Sequence, residues 1–254
     1  MKISFVVPAY NEEVYIEDCL RAILKEIETR PYSAEVIVVN NASTDRTAEV
    51  AKKFPGVRVV DEKHKGLVWA RQRGLSEASG ELVANIDADV QITPGWLERV
   101  LSEFERNPRL VCLSGPFIYY DLSLWTRFWV RIFYFIGFLL YLLNRFVLRA
   151  GSMTQGGNFI LRRTAILAAG GFDTSIAFYG EDTDIARRMS KIGAVKFTFH
   201  LPARSSGRRL RDEGVIATAL RYTLNYLWVT FRHRPLHKEY KDIRRNQHEN
   251  CNQP

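Results

Sequence analysis

Leu82-Val83-Ala84-Asn85-Ile86-Asp87-Ala88-Asp89-Val90-Gln91-Ile92-Thr93-Pro94 decides the fold. Residues 82–86 form a short, mostly apolar run, as expected of a strand buried on both faces. On an extended continuation, Asp87 and Asp89 point to one side, their carboxylates about 6–7 Å apart. Left unpaired they repel, and a divalent cation would satisfy both. Helix-capping or solvated acids are the plainer alternative. Gln91 continues the alternation and would add an oxygen ligand. Thr93-Pro94 predicts a helix cap with proline at the first helical position and a helix running to residue 104.

Working upstream, the same alternation of periods recurs. Residues 3–7, 35–39 and 57–60 read as strands, and 68–78 as a helix. Asn11 is placed to cap a helix with Glu12 and Glu13 in its first turn, and Ser43-Thr44-Asp45 a helix to about residue 53. Strands alternating with helices imply right-handed crossovers, hence an α/β fold with a mainly parallel sheet and helices on both faces. Ligands of such sheets collect at the carboxyl ends of strands. Here those ends are Pro8-Ala9-Tyr10, Asn40-Asn41-Ala42 and Asp87-Ala88-Asp89.

Downstream the alternation stops. Residues 122–148 are rich in Leu, Phe, Trp, Tyr and Ile, with an uncharged run over 132–144. As a helix those thirteen residues cover about 20 Å against a hydrocarbon core of about 30 Å, which reads as too short to span. Arg127/Arg131 and Arg145/Arg149 bracket the run, and Trp125 and Trp129 lie at one end, a pattern suited to a membrane interface. A helix pair on the sheet or a homodimer seam is the alternative. Strands are expected at 159–161 and 195–199, helices over 181–192 and 215–231, and a basic loop at 204–211. The last twenty residues read as a polar tail.

Composition bounds the rest. The 254 residues are 46% hydrophobic and 25% charged, which excludes wholesale disorder. The net charge of +8 is concentrated at the end, with eleven Lys and Arg against five acids from residue 203 onward. That asymmetry favours an anionic partner: phosphate, anionic lipid or nucleic acid. No nucleic-acid recognition motif accompanies it. Cys19, Cys112 and Cys251 fit neither a zinc spacing nor a disulfide framework and read as reduced thiols of a cytosol. The apolar run at the N-terminus is too short for a signal-peptide core.

Three further clusters carry chemistry. Asn40 to Asp45 places small polar residues behind the second strand, either to read a base or ribose or as an Asx turn with a cap. Glu181, Asp182 and Asp184 exceed what capping requires, and a carboxylate facing a pocket is a general base for a hydroxyl. Arg208 and Arg209 would fold over a diphosphate and stabilise leaving charge, or else form a solvated loop. Arg71, one turn into its helix, is a candidate phosphate contact. His200, at a strand end, is a candidate metal ligand or a plain surface histidine.

The ensemble resembles the family 2 glycosyltransferases. It is carried, in order, by Val7-Pro8-Ala9-Tyr10-Asn11-Glu12-Glu13, Asn41-Ala42-Ser43-Thr44-Asp45, Gly80-Glu81-Leu82 leading to Asp87-Ala88-Asp89, Gly156-Gly157-Asn158 with Arg162-Arg163, and Gly170-Gly171-Phe172-Asp173 leading to Gly180-Glu181-Asp182-Thr183-Asp184. The match covers about residues 3–211. The resemblance implies a GT-A nucleotide-sugar fold and inverting transfer from a nucleoside-diphosphate sugar. Asp89 would bind Mg²⁺ or Mn²⁺, with Asp87 near ribose, sugar or metal. Asp182 would deprotonate the acceptor, Glu181 being the second candidate. Pro8, Ala9, Tyr10, Glu12 and Asn40 would hold the nucleoside, and Arg71, Arg208 and Arg209 the diphosphate. The family usually carries aspartate where Asn40 stands; asparagine still accepts through its carbonyl oxygen and adds a donor, so the base stays open.

These readings predict a transferase domain over 1–211 with an apolar, membrane-interfacial insert at about 122–149, then an amphipathic helix and basic tail over 212–254. The expected partners are the donor, a sugar or polyprenyl-linked acceptor and a membrane surface at the inner face of the cell membrane. The rivals are a non-catalytic nucleotide-sugar binding subunit and a nucleic-acid-binding protein.

Overall fold

A computed structural model describes residues 1–143, 153–237 and Asp242. Arg145, Arg149 and Cys251, and all of the polar tail beyond 237 except Asp242, lie outside the described residues. The central sheet has seven strands in the order β3 (Val57–Asp61), β2 (Ala34–Asn40), β1 (Ile3–Ala9), β4 (Leu82–Ile86), β8 (Asn158–Arg162), β6 (Leu110–Ser114), β9 (Ala194–Phe197). Its pairs are parallel except where β8 runs antiparallel between β4 and β6. Successive residues of a strand face opposite sides. Phe5 and Val7 of β1 thus pack with α1 (Ile16–Glu28) and α4 (Trp96–Arg106), whereas Val6 packs with α3 (Leu67–Glu77) and α7 (Glu181–Ser190). The sheet is therefore covered by helices on both faces, as expected.

A second sheet, β5 (Val90–Ile92), β10 (Ala203–Ser205) and β7 (Phe117–Tyr119), sets the far side of the site. Its β5–β10 register pairs Val90 with Ser205, which brings Asp89 beside the segment carrying Arg208. That segment is α8 (Arg208–Glu213) preceded by β10, not the basic loop expected over 204–211. The helix α9 (Val215–Arg232) follows.

Three local expectations are corrected. Asp87 and Asp89 do not continue an extended strand: Val90 N–H bonds Asp87 O at 2.9 Å, so the two acids straddle a turn. The helix after Pro94 begins at Trp96, because the buried Glu26 of α1 supplies its cap, accepting from Gly95 N–H at 2.9 Å and Leu97 N–H at 3.2 Å. Asn11 caps nothing. It takes positive φ and bonds Thr44, and α1 starts later, at Ile16.

The apolar segment forms α5 (Leu124–Leu143), twenty residues and about 30 Å long. By length and composition it could cross a membrane, so the inference from the thirteen-residue run that it is too short is corrected.

Candidate active site

The β4–β8 pairing builds the centre. Ile86 lies opposite Asn158, and Asp87 N–H bonds Gly157 O at 3.3 Å, so the turn after β4 rests on the Gly156-Gly157 segment. Gly157 has a positive φ, and a Cβ there would collide with the Asp87 carboxylate, which explains glycine at this position. Gly156 N–H in turn donates to Asp182 Oδ2 at 3.3 Å. One glycine pair thus sets Asp87 and Asp182 against a common wall. Asn158 locks the wall in place: its amide donates to Gly115 O and Leu201 O, both at 3.0 Å, and its Oδ1 accepts from Trp96 Nε1.

Two arginines tie the carboxylates together. Arg71 is wholly buried, pairs with Asp87 Oδ1 at 3.0 Å and with Glu181 Oε1, and lies over the Phe159 ring. It is a buried bridge between acids rather than an outward phosphate contact. Arg208 Nη2 lies 2.5 Å from Glu12 Oε1 and 3.1 Å from Asp89 Oδ2, with its guanidinium over the Tyr15 ring. The surrounding acids raise the pKa of both arginines, so each carries its charge at any working pH.

Glu181 and Asp182 open α7. Burial raises the Glu181 carboxyl to about 7 against the opposing pull of Arg71. Burial also raises that of the half-buried Asp182, opposed first by the Thr183 N–H that donates to its Oδ1. A raised pKa makes the ionised carboxylate a stronger base, as a general base requires.

A cavity of about 350 Å³ joins Pro8, Glu12, Arg71, Asp87, Asp89, Glu181, Asp182, Arg208 and Arg209. Arg209 lies over the Phe178 ring at 4.6 Å and pairs with Glu213 at 2.6 Å. A smaller cleft next to it is bordered by Pro8, Ala9, Tyr10, Asn41 and Lys65, whose Nζ donates to Tyr10 Oη at 2.7 Å.

The structure does not bring in three expected residues. Asn40 lines neither cavity; its amide donates to Asp61 at 2.8 Å, and its buried carbonyl oxygen has no hydrogen-bond partner. The Gln91 amide reaches Asp18, because the turn at Asp87–Asp89 breaks the alternation that aimed it at the metal. His200 is exposed, lines neither cavity, and its carbonyl accepts from Arg99.

Residues not anticipated also line the large cavity. Thr154 donates to Asp182 O at 2.8 Å, and Tyr134 Oη donates to Gln155 Oε1 at 2.7 Å, with Tyr119 and Tyr222 nearby. Burial raises all three phenols, so they are neutral donors at physiological pH. Only the neighbouring Gly156-Gly157-Asn158 hinted at Thr154 and Gln155. Nothing in the sequence marked the tyrosines as site residues: Tyr134 falls in the apolar run over 132–144 and Tyr222 in the expected helix over 215–231.

A divalent cation fits this donor set. Among the described residues no three acids, histidines or cysteines converge to cage a metal. Asp87 and Asp89 alone face the cavity from one turn, the arrangement of a hard cation that draws its remaining ligands from phosphate and water.

Comparison with known proteins gives the family. The glycosyl transferase family 2 model matches residues 4–168, and the chain belongs to that family. The match spans β1 to α6 (Arg163–Ala168) and stops before Glu181. The chain is 32% identical over 112 residues to the dodecaprenyl-phosphate galacturonate synthase of Rhizobium johnstonii, covering 42% of this chain and 33% of that protein. It spans about a third of the length of the curated relatives it matches. Among solved structures, Staphylococcus aureus TarS 1-349 superposes with a TM-score of 0.63 at 18% identity, covering 99% of this chain and 79% of that one. The Pyrobaculum calidifontis mannosyltransferase PcManGT, in complex with GDP-Man and Mn²⁺, also gives 0.63, at 21% identity, covering 87% and 64%. These likenesses establish the GT-A fold.

Proposed function

We propose that the chain transfers a glycosyl group, with inversion, from a nucleoside-diphosphate sugar to an acceptor hydroxyl. The observation that carries this is the convergence on one cavity of Asp87 and Asp89 from the β4 turn with Glu181 and Asp182 from the start of α7. In the reaction the acceptor oxygen attacks the anomeric carbon from the face opposite the diphosphate. Its proton passes to Asp182, the new carbon–oxygen bond forms, and the bond to the β-phosphate oxygen breaks, the nucleoside diphosphate leaving with the electron pair. Gly156 and Thr183 N–H hold the Asp182 carboxylate in place, and Arg71 holds Asp87 and Glu181 together. Asp89 and Asp87 would hold Mg²⁺ or Mn²⁺, which when bound offsets charge on the diphosphate. Arg209 faces the same cavity and supports the developing negative charge.

Pro8, Ala9 and Tyr10 border the cleft beside Asn41, which suits a nucleoside next to the diphosphate. PcManGT binds GDP-Man with Mn²⁺, which supports this donor class. The relative named dodecaprenyl-phosphate galacturonate synthase supports a lipid-linked acceptor. The outward face of α5, with Trp125, Phe128, Phe135 and Leu139 exposed, supports residence at a membrane surface. Unpaired, buried Cys19 and Cys112 accord with the cytosolic side.

A thermal-shift screen of UDP-, GDP- and dTDP-sugars with and without Mn²⁺ tests the donor half. One donor should stabilise the protein in a metal-dependent way, and Asp89→Ala should abolish the metal dependence. Absence of any donor-induced shift would contradict the donor half of the proposal.

A further inference from the structure

The cavity continues beyond the reaction centre into space that sugar transfer does not explain. One wall is the inward face of α5, with Trp129, Phe133, Ile136 and Leu140; the other is α9, whose Val215 and Ala219 lie among polar side chains such as Thr218, Thr223 and Asn225. The polar side chains stand on α9 and at the carboxylate end, where Tyr134 is already committed to Gln155. The α5 wall offers a saccharide few hydrogen-bond partners, so hydroxyls turned toward it would be left unsatisfied. Trp129, Phe133 and Ile136 remain 49%, 38% and 51% exposed although they face a cavity, which leaves apolar surface unburied.

Gly137 sharpens the point. It sits mid-helix in α5 on the cavity side, where glycine costs about 1 kcal/mol relative to alanine. A Cβ there would meet only Met153 Sδ at 3.7 Å, ordinary contact, so packing within the protein does not require glycine. What its missing side chain preserves is open cavity.

We propose that the space between α5 and α9 binds the hydrocarbon tail of the acceptor. The acceptor is then an amphiphile, its hydroxyl-bearing head at Asp182 and its chain between the two helices. This rests on the transferase reading with its lipid-linked acceptor and adds to it the place of the acceptor's tail. Continuity with the reaction centre argues for a tail rather than a separate ligand. The exposed outer face of the same helix argues for entry from a lipid surface.

The test is calorimetric titration of the full chain with methyl, decyl and citronellyl β-glucosides below their critical micelle concentrations. The two long-chain compounds should bind at least about tenfold tighter than the methyl one, a fraction of what burying a full chain would give. Tighter binding of citronellyl than decyl would mark an isoprenoid tail, the reverse a straight one; both support the site. Gly137→Phe, and Ala219→Phe from the opposite wall, should remove the chain-length advantage while melting cooperatively by circular dichroism. Equal binding of all three glucosides by the wild type would overturn the proposal, as would an advantage retained in both folded variants. So would a dimer, seen by sedimentation, that shows no chain-length dependence, since a second copy would then own the face. The donor screen separates the two readings: donor binding without chain-length dependence sinks the tail site alone, and chain-length dependence without donor binding sinks the transferase reading and with it the acceptor role of the site.

Discussion

Arg71 shows what a single residue does here. It brings a full charge into the core, and Asp87, Glu181 and the Phe159 ring offset its desolvation. Breaking such an arrangement by deleting one partner costs more than the intact pair contributes, because the remaining charges stay buried. Arg71→Met should therefore lower the unfolding free energy by about 3–5 kcal/mol in urea titration. An unchanged stability would mean that Asp87 and Glu181 do not depend on it. Arg71 was legible in the sequence as a residue of the site but not as a bridge, because its partners lie 16 and 110 positions away. Asp87, Asp89, Glu181 and Asp182 were all visible, since acids behind a buried strand or opening a helix stand out. Gln91 was misplaced for a physical reason: strand alternation was carried through a turn that the sequence does not announce; His200, placed only by its strand end, is the surface histidine of the alternative reading.

At the scale of elements, α7 poses a competition between two effects on Glu181. A helix N-terminus favours the ionised acid by about 0.3–1 kcal/mol. Burial opposes it and wins, raising the group to about 7 from an ordinary 4.5. The folded state therefore holds the proton more tightly than the unfolded chain. The resulting stability is fully present below about 4.5 and is lost as pH rises through about 7, by about 3 kcal/mol at most. Unfolding free energies measured from pH 4 to 8 should show that decline, and Glu181→Gln should flatten it; an identical decline in the variant would place its origin elsewhere. Element boundaries were legible where periodicity was strong, as in β4 and α9. Caps were not, because Glu26 of α1 caps α4 across the fold and displaces the local signal at Thr93-Pro94.

At the scale of the whole molecule, one sheet carries the donor-side acids, and two helices outside it, α5 and α9, complete the cavity. The parallel order of the sheet was readable from alternating periods. The closing of α9 over the site was not, since its aromatic residues look the same whether they face solvent, lipid or a cavity. Because α5 is apolar on both its inward and its outward face, the chain should sediment with liposomes containing anionic lipid. Phe135→Ser with Leu139→Ser, both on the outward face, should reduce the pelleted fraction several-fold without lowering the melting temperature. Undiminished sedimentation of the folded double variant would remove α5 from the membrane contact.

The most direct measurement of the central claim is the turnover of Asp182→Asn beside its donor affinity. If Asp182 takes the acceptor proton, the donor that stabilises the wild type should bind the variant with an affinity unchanged within a few-fold, while transfer falls by about 10²–10⁴-fold. Transfer at the wild-type rate would show that another group accepts the proton and would contradict the account.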